Sequence, residues 1–411
     1  MSNVAVIFIA GRDPQRHIDD SHSGYVRIHA HAATLAGYDV HILCLDRKVR
    51  TEVTTYGTIH ALKTPFRKVR SIMLPLHSPI LLRAAENLAM ALGPAPVIVH
   101  GFGVWGHPAA NVGERLKEMG RRCASLIGSY KTYVDETESQ WRGLVAEDGL
   151  RAHAKAALAL AWVRAVISRY EKHSYCKADR ILVNYRSVQK LINHRFGAGL
   201  QCDLVPYTVE KEFQGPQPGM PRSRVARSEC PVIVSVARHF PRKGVDILLH
   251  ALRLAKNSGC SFSAHLISGG PLLETHRRLL RRLNLSDCVA IHGVVPSVDD
   301  YLNKADIFVL PSREEQSGSL ALLEAMRARI ACVASACDGI PEDVSHMRDA
   351  WLTVPGNAHS LARGIVSLLN DRPLRQRLAH AGRTTFERRF SGAAFSKVLD
   401  LVYRESIEQL T

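Results

Sequence analysis

Short apolar runs alternate with amphipathic helical segments along this chain, and the alternation stops once and then restarts. No other feature limits the fold as strongly. Strands that are apolar throughout must be buried on both faces, and the helices between them must cover those faces. The first runs predict strands over 4–10, 38–44, 97–99, 122–127 and 180–183. A loop holding Ser23 and Gly24, and then a helix to about Leu35, separate the first two. A glycine-rich stretch, GFGVWGH, and a helix from Pro108 follow the third. The break is 211–230, KEFQGPQPGMPRSRVARSEC, whose three prolines and two glycines predict a linker. Strands are then expected over 232–236, 264–267, 289–291, 306–310, 330–334 and 351–354. In the helix over 245–256, Val245, Leu248, Leu249 and Leu252 recur at i, i+3, i+4 and i+7, one core-facing stripe. Three helices, over 358–370, 373–390 and 393–409, close the chain.

The pattern predicts an α/β protein of two Rossmann-like, doubly wound parallel-sheet domains facing each other across a cleft. A length of 411 residues agrees, being too long for one ordinary core. The expected boundaries are 1–210, a linker over 211–230, a second domain over 231–390 and a terminal segment over 391–411. No apolar run reaches the ~18 residues of a membrane span. The longest candidate, 156–167, is interrupted by Arg164. The opening MSNVAVIFIAG reads as a buried strand rather than a signal peptide. Nine scattered cysteines without a C-x-x-C pair point to free thiols in the cytoplasm, not to a zinc site.

A formal net charge of +16 calls for an anionic partner: nucleic acid, a membrane surface or phosphorylated substrates. No nucleic-acid-binding signature accompanies it, and the basic residues are spread along the chain, so nucleic acid is not the expected partner.

In doubly wound sheets, ligands bind over the loops at the carboxyl ends of the strands. The loop 237–244, ARHFPRKG, places Arg238 and Lys243 beside a helix N-terminus, where backbone N–H groups already favour an anion. In PSREEQSGSLALLEAM, Gly318, Ser319 and Leu320 open a helix, and Glu324 follows one turn in. A carboxylate so close to a phosphate site repels phosphate, which makes neutral hydroxyls, such as the pair on a ribose, its expected partner. A diphosphate clamp beside a hydroxyl acceptor describes a nucleoside diphosphate. Two further loops, 268–271 (SGGP) and 337–342 (CDGIPE), are turn signals alone.

Taken in order and spacing, ARHFPRKGVDILLHAL, PSREEQSGSLALLEAM and VASACDGIPEDV resemble the retaining glycosyltransferases of GT-B fold, glycosyltransferase family 4. SHSGYVRIHAHAATLAGYDVHIL, YEKHSYCKADRILVNYRSV and LVPYTVE extend the resemblance over most of the chain. The resemblance implies a nucleotide diphosphate sugar as donor and an acceptor hydroxyl. Arg238 and Lys243 would hold the donor diphosphate, Glu324 the ribose, and the N–H groups around Gly318, Ser319 and Leu320 a phosphate. Gly293 and Val294 would line the base pocket through their backbone. Ser23 and Gly24 would face donor or acceptor from the first domain. The last helix would cross back to the first domain. No D-x-D triplet occurs, so no metal or other cofactor is expected; the basic pair takes the place of a cation.

Two positions depart from the family pattern. With seven residues between it and Glu324, where the family's other glutamate stands, the chain has Gln316, and Glu315 lies one position further, with eight between. Either Glu315 or Gln316 is therefore the sugar contact. In SLIGSY, Ile127 stands where many members have a histidine, and His100 and His107 around the GFGVWG loop are the nearby substitutes. These departures motivate a competing reading, a catalytically silent relative that binds a nucleotide sugar or an anionic surface. The basic stretch FRKVR before SIMLPLHSPILLRAA adds peripheral contact with an anionic membrane, at its inner face, as a further expectation.

Overall fold

The structure, a computed structural model, describes residues 4–16, 21–66, 69–142, 149–197, 199–200, 202–214, 230–315 and 317–410. The chain divides into two compact units, Met1–Gln214 with Gly392–Thr411, and Gly215–Ser391. Most of the linker stretch lies outside the described residues.

The first unit is built on an eight-stranded sheet. Its strands are β1 (Ala5–Arg12), β2 (Asp39–Asp46), β3 (Arg50–Thr54), β4 (Gly57–Lys63), β5 (Val97–Phe102), β6 (Cys123–Ser129), β7 (Arg180–Val183) and β8 (Cys202–Leu204). Their order is β3-β4-β2-β1-β5-β6-β7-β8. Every pairing is parallel except β3 with β4. Val6, Ile7, Phe8 and Ile9 are wholly buried, as a central strand covered on both faces requires. The β3–β4 hairpin and β8 escape the sequence pattern because they form the sheet's two margins: β3 alternates half-buried and exposed positions and offers no apolar run. The helix Gly392–Glu408 packs on this unit. Phe395 meets the His29 ring edge-on at 4.9 Å, and the Tyr38 hydroxyl donates to Asp400 Oδ1 at 2.9 Å.

The second unit carries β9 (Val232–Val236), β10 (Ser263–Ile267), β11 (Val289–Gly293), β12 (Ile307–Leu310), β13 (Ala331–Ser335) and β14 (Trp351–Thr353), all parallel, in the order β11-β10-β9-β12-β13-β14. The expected stripe of helix Val245–Asn257 is its core face: Val245, Leu248, Leu249 and Leu252 are buried against β9, β12 and β13 residues. Helices Ala358–Asn370 and Arg372–Arg389 close the unit, each capped by an aspartate or asparagine that accepts a first-turn N–H.

Among the parallel strands of each sheet the order reverses direction between β1 and β5 in the first and between β9 and β12 in the second. Crevices at the carboxyl ends of strands open at such switch points, which locates a candidate site in each unit.

Candidate functional site

At the switch point of the second unit, the loops after β9 and β12 are locked together. Gly244 has φ +62°, and a Cβ there would lie 2.1 Å from the Pro311 carbonyl oxygen, so only glycine permits the approach. The Arg242 carbonyl accepts the N–H groups of Arg313 (2.7 Å) and Glu314 (3.2 Å). The Arg313 guanidinium then grips the Asp246 carboxylate through two bonds of 2.9 and 2.6 Å. This frame brings the Lys243 ammonium to 2.5 Å from Glu315 Oε2, with both side chains largely buried. Burial draws the Lys243 ammonium below the usual lysine range, against the attraction of Glu315.

Glu315 is held from three sides. Ser312 Oγ donates to its Oε1, Lys243 to its Oε2, and its own N–H donates to Asp338 Oδ2 at 2.6 Å. Asp338 has φ +47°, and the next residue, Gly339, donates its N–H to the Ser317 carbonyl at 2.8 Å. In this state Glu315 is the counter-ion of Lys243. Its carboxylate is turned inward rather than presented to a sugar. Gln316, the alternative sugar contact, lies outside the described residues.

The helix Leu320–Arg327 begins at Ser319, whose side chain makes no cap bond. The Ser319 carbonyl accepts the N–H groups of Leu322 (3.1 Å) and Leu323 (3.2 Å), while those of Leu320 and Ala321, ahead of them, have no i−4 carbonyl within the helix. Gly318 and Ser319 precede this helix in the loop that carries Glu315. Glu324, half-buried, is one turn further on.

Arg238 is exposed, its guanidinium lying over the Phe240 ring at 4.7 Å. Between Arg238 and Phe240, His239 is fully buried, with Nδ1 2.8 Å from Nδ1 of His276. Burial pulls the His239 imidazole down to about 4, so it is neutral and the loop's positive charge comes from the flanking Arg238, Arg242 and Lys243. The loop after β10 docks here too: His239 N–H donates to the Gly269 carbonyl at 3.0 Å, and a Cβ on Gly270 would meet His239 backbone atoms at 2.7 Å. Gly293, with φ +76°, gives its carbonyl to the Ser268 N–H at 2.8 Å, and Val294 beside it is 83% exposed. The four loops of the second unit that the sequence singles out are thus joined by backbone bonds at one edge of the sheet.

In the first unit, a cavity of about 420 Å³ opens at the switch point, lined by residues after β1, β5 and β6. Trp105 forms part of its wall because Gly11 leaves room for the indole; a Cβ on Gly11 would lie 2.1 Å from Trp105 Cε2. Ser23 and Gly24 are not in a loop, as the sequence suggests, but in the first turn of the helix Ser21–Leu35; Tyr25 is the residue of that turn that reaches the cavity. The short polar sequence SHSG reads as a turn, yet it starts the helix.

Neither histidine lines this cavity. His107 borders a separate space of about 500 Å³, bonded to Ser78 Oγ (2.9 Å) and close to Asn111, and burial holds it at about 4. His100 is fully buried behind Phe102, with Nδ1 2.8 Å from the Tyr403 hydroxyl, and burial holds it neutral as well. Ile127 faces away from the cavity, packed so closely on Gly106 that a Cβ there would lie 2.7 Å from Ile127 Cδ1. The cavity-facing position on β6 is Gly128, and the Phe102 ring fills the space a side chain there would need, 2.6 Å from its notional Cβ.

Sequence reasoning missed Ser312, Asp338 and Glu171. Ser312 and Asp338 lie beside residues it did select; the aspartate–glycine pair after β13 was the available signal. Glu171 is wholly buried, accepts the Tyr133 N–H at 3.0 Å, and is pushed up to about 8 by burial.

Residues 219–385 match the family model described as Glycosyl transferases group 1. The amylovoran biosynthesis glycosyltransferase AmsK of Erwinia amylovora is 35% identical over 143 residues, 33% of this chain and 35% of the relative. The GDP-mannose-dependent alpha-(1-6)-phosphatidylinositol monomannoside mannosyltransferase of Mycobacterium tuberculosis is 28% identical over 199 residues, 46% of this chain and 52% of the relative. The chain thus spans about a third to a half of the length of the curated relatives it matches. Among solved structures, the sucrose-phosphate synthase from Thermosynechococcus elongatus superposes with a TM-score of 0.69 at 20% identity, covering 98% of this chain and 99% of that one. The fold is the GT-B fold of glycosyltransferases, and the segment that matches the glycosyl transferases group 1 model, residues 219–385, holds all four connected loops.

Proposed function

We propose that this chain is a retaining, metal-independent hexosyltransferase that moves a sugar from a UDP- or GDP-sugar to an acceptor hydroxyl of a glycan, glycolipid or small molecule. The observation that carries this reading is the Lys243–Glu315 pair, fastened at the switch point beside the uncapped start of the helix Leu320–Arg327. An ammonium has three N–H donors, and Glu315 engages one of them, which orients the others toward a donor diphosphate. Arg238 adds a second positive charge from the exposed side of the same loop.

Departure of the nucleoside diphosphate breaks the bond from the anomeric carbon to the phosphate oxygen, and the electron pair stays on that oxygen. Lys243, Arg238 and the N–H groups near Gly318 and Ser319 stabilise the charge that develops there. The acceptor oxygen bonds to the anomeric carbon on the same face, and its proton passes to the departing phosphate oxygen. That route needs no protein base in the first unit, which suits a cavity where Phe102 occupies the space in front of Gly128. Glu315 acts as a positioning residue for Lys243, and Glu324 receives the ribose hydroxyls. The two cations take over the role of a divalent metal.

We place the protein in the cytoplasm, which suits its nine free cysteines, and on the inner face of an anionic membrane. The helix Leu74–Ala91 buries Leu74, Leu81, Ala85 and Ala89 and leaves Leu76 and Met90, near its two ends, exposed, and Arg67 and Lys68 lie outside the described residues. The helix Gly149–Trp162 offers the better contact, with exposed Leu158 and Trp162 beside exposed Arg151 and Lys155. No helix among the described residues is long and apolar enough to cross a membrane.

The test is release of nucleotide from a panel of UDP- and GDP-sugars, with and without glycan acceptors, by wild type and Lys243→Ala. Turnover of one donor that collapses in the variant is expected. Absence of both transfer and donor hydrolysis across the panel would instead favour a silent sugar-nucleotide binder.

A further inference from the structure

The cavity of the first unit has a composition that a neutral glycan does not call for. Arg12, Arg70 and Lys131 line it together with Glu136, which Lys131 pairs at 2.8 Å. Arg70 is exposed and has no carboxylate partner among the described residues. Arg12 is aimed by a bond of 2.9 Å from its Nε to the Val69 carbonyl. Glu171, the other acid at the wall, is wholly buried, and burial keeps it protonated through neutral pH. Among the residues that line the cavity, three cations therefore stand against Glu136 and the buried Glu171.

Aromatic rings form much of the remaining lining. Tyr25 and Tyr130 lie with centroids 4.0 Å apart, and Trp105 and Tyr133 complete the wall. Rigid rings with a hydroxyl or indole N–H at one edge suit the apolar face and rim hydroxyls of a pyranose. The volume of about 420 Å³ falls within the range of small-molecule sites, roughly 300–1,000 Å³. Cations clustered at a partly desolvated mouth gain most from a ligand that brings its own negative charge.

We propose that this cavity binds an acceptor sugar that carries an anionic group, phosphate or carboxylate, on or beside the ring, with the ring against the Tyr25–Tyr130–Trp105 wall and the charge at Arg12, Arg70 and Lys131. The acceptor role rests on the glycosyltransferase reading above; the binding chemistry does not.

The test is a calorimetric titration of the full chain with three sets of probes. Glucose, galactose and mannose 1-phosphates and the corresponding uronic acids carry the charge; methyl glycosides of the same sugars lack it; inorganic phosphate lacks the ring. At least one anionic sugar should bind about tenfold or more tighter than its methyl glycoside. That advantage should shrink as sodium chloride rises and disappear in Arg70→Ala combined with Lys131→Ala. Binding should persist in Lys243→Ala, which separates this cavity from the second unit. The preferred set distinguishes phosphate from carboxylate. Equal affinity for charged and neutral sugars, no binding of any anionic sugar, inorganic phosphate binding as tightly as the sugar phosphates, or binding lost in Lys243→Ala but kept in the double variant would each overturn the proposal. UDP and GDP titrated into the same preparations report on the donor reading separately. If they bind while the anionic sugars do not, only the present inference falls.

Discussion

Gly244→Ala is the substitution whose consequence the structure specifies most fully. The residue has φ +62°, and the added methyl would lie 2.1 Å from the Pro311 carbonyl oxygen, so the loops after β9 and β12 must part by about 1.3 Å to reach ordinary contact at 3.4 Å. A left-handed conformation costs a residue with a Cβ about 1–2 kcal/mol. Parting the loops also loosens the two N–H bonds to the Arg242 carbonyl, at about 1 kcal/mol each. The total is about 3–4 kcal/mol, which in a unit of this size lowers Tm by roughly 6–16 °C. The same opening separates Lys243 from Glu315, and a displacement near 1 Å costs on the order of 100-fold in turnover. Gly259→Ala is the control, because Gly259 also has positive φ, +80°, but nothing lies within 4 Å of its notional Cβ. Calorimetric unfolding and donor turnover of the two variants would be compared side by side. Equal losses of Tm in both, with turnover intact in Gly244→Ala, would show that the loops are not locked in the way described.

Three other outcomes are expected. Arg238→Ala, at an exposed position, should lower turnover by about 10²–10³ with Tm unchanged, whereas Lys243→Ala should lower both, because it strands the buried Glu315 carboxylate; unchanged turnover in both variants counts against the diphosphate clamp. Glu171, raised to about 8, binds its proton more tightly in the folded protein, so its contribution is present below about pH 4.5 and is lost as pH rises toward 8; Tm of Glu171→Gln should therefore gain on wild type between pH 5 and pH 8, and a constant difference refutes the assignment. His29, held at about 4 by burial, works in the opposite sense: stability present above pH 6.5 is lost as pH falls toward 4, and His29→Gln should flatten the acid side of the Tm profile.

Much of the architecture was legible because the central strands are apolar throughout and the helices between them carry a regular stripe. Strand β9 and helix Ala358–Asn370 fall at their expected bounds. The β3–β4 hairpin was not legible, because an edge pair that is half exposed carries no continuous apolar signal. In the second unit the sequence named Arg238, Lys243, Glu315, Gly318 and Ser319 as parts of one arrangement, and their loops do meet. It could not show that Glu315 turns inward, since that depends on Lys243 and Asp338 approaching from the loops after the neighbouring strands β9 and β13. In the first unit Ile127 stands where the family resemblance expects a histidine, but strand alternation points it away from the cavity, onto Gly106. The histidines near the GFGVWG loop looked chemically apt, but tertiary packing directs His100 into the core and His107 to another surface.

The central claim is that the second unit holds a nucleoside diphosphate at the loops after β9 and β12. Calorimetric titration of UDP, GDP, ADP and dTDP into wild type, Lys243→Ala and Glu324→Ala tests it most directly. The account predicts that UDP or GDP binds the wild type and that both variants lose at least about tenfold in affinity. No binding of any of the four to the wild type, or undiminished binding to both variants, would contradict it.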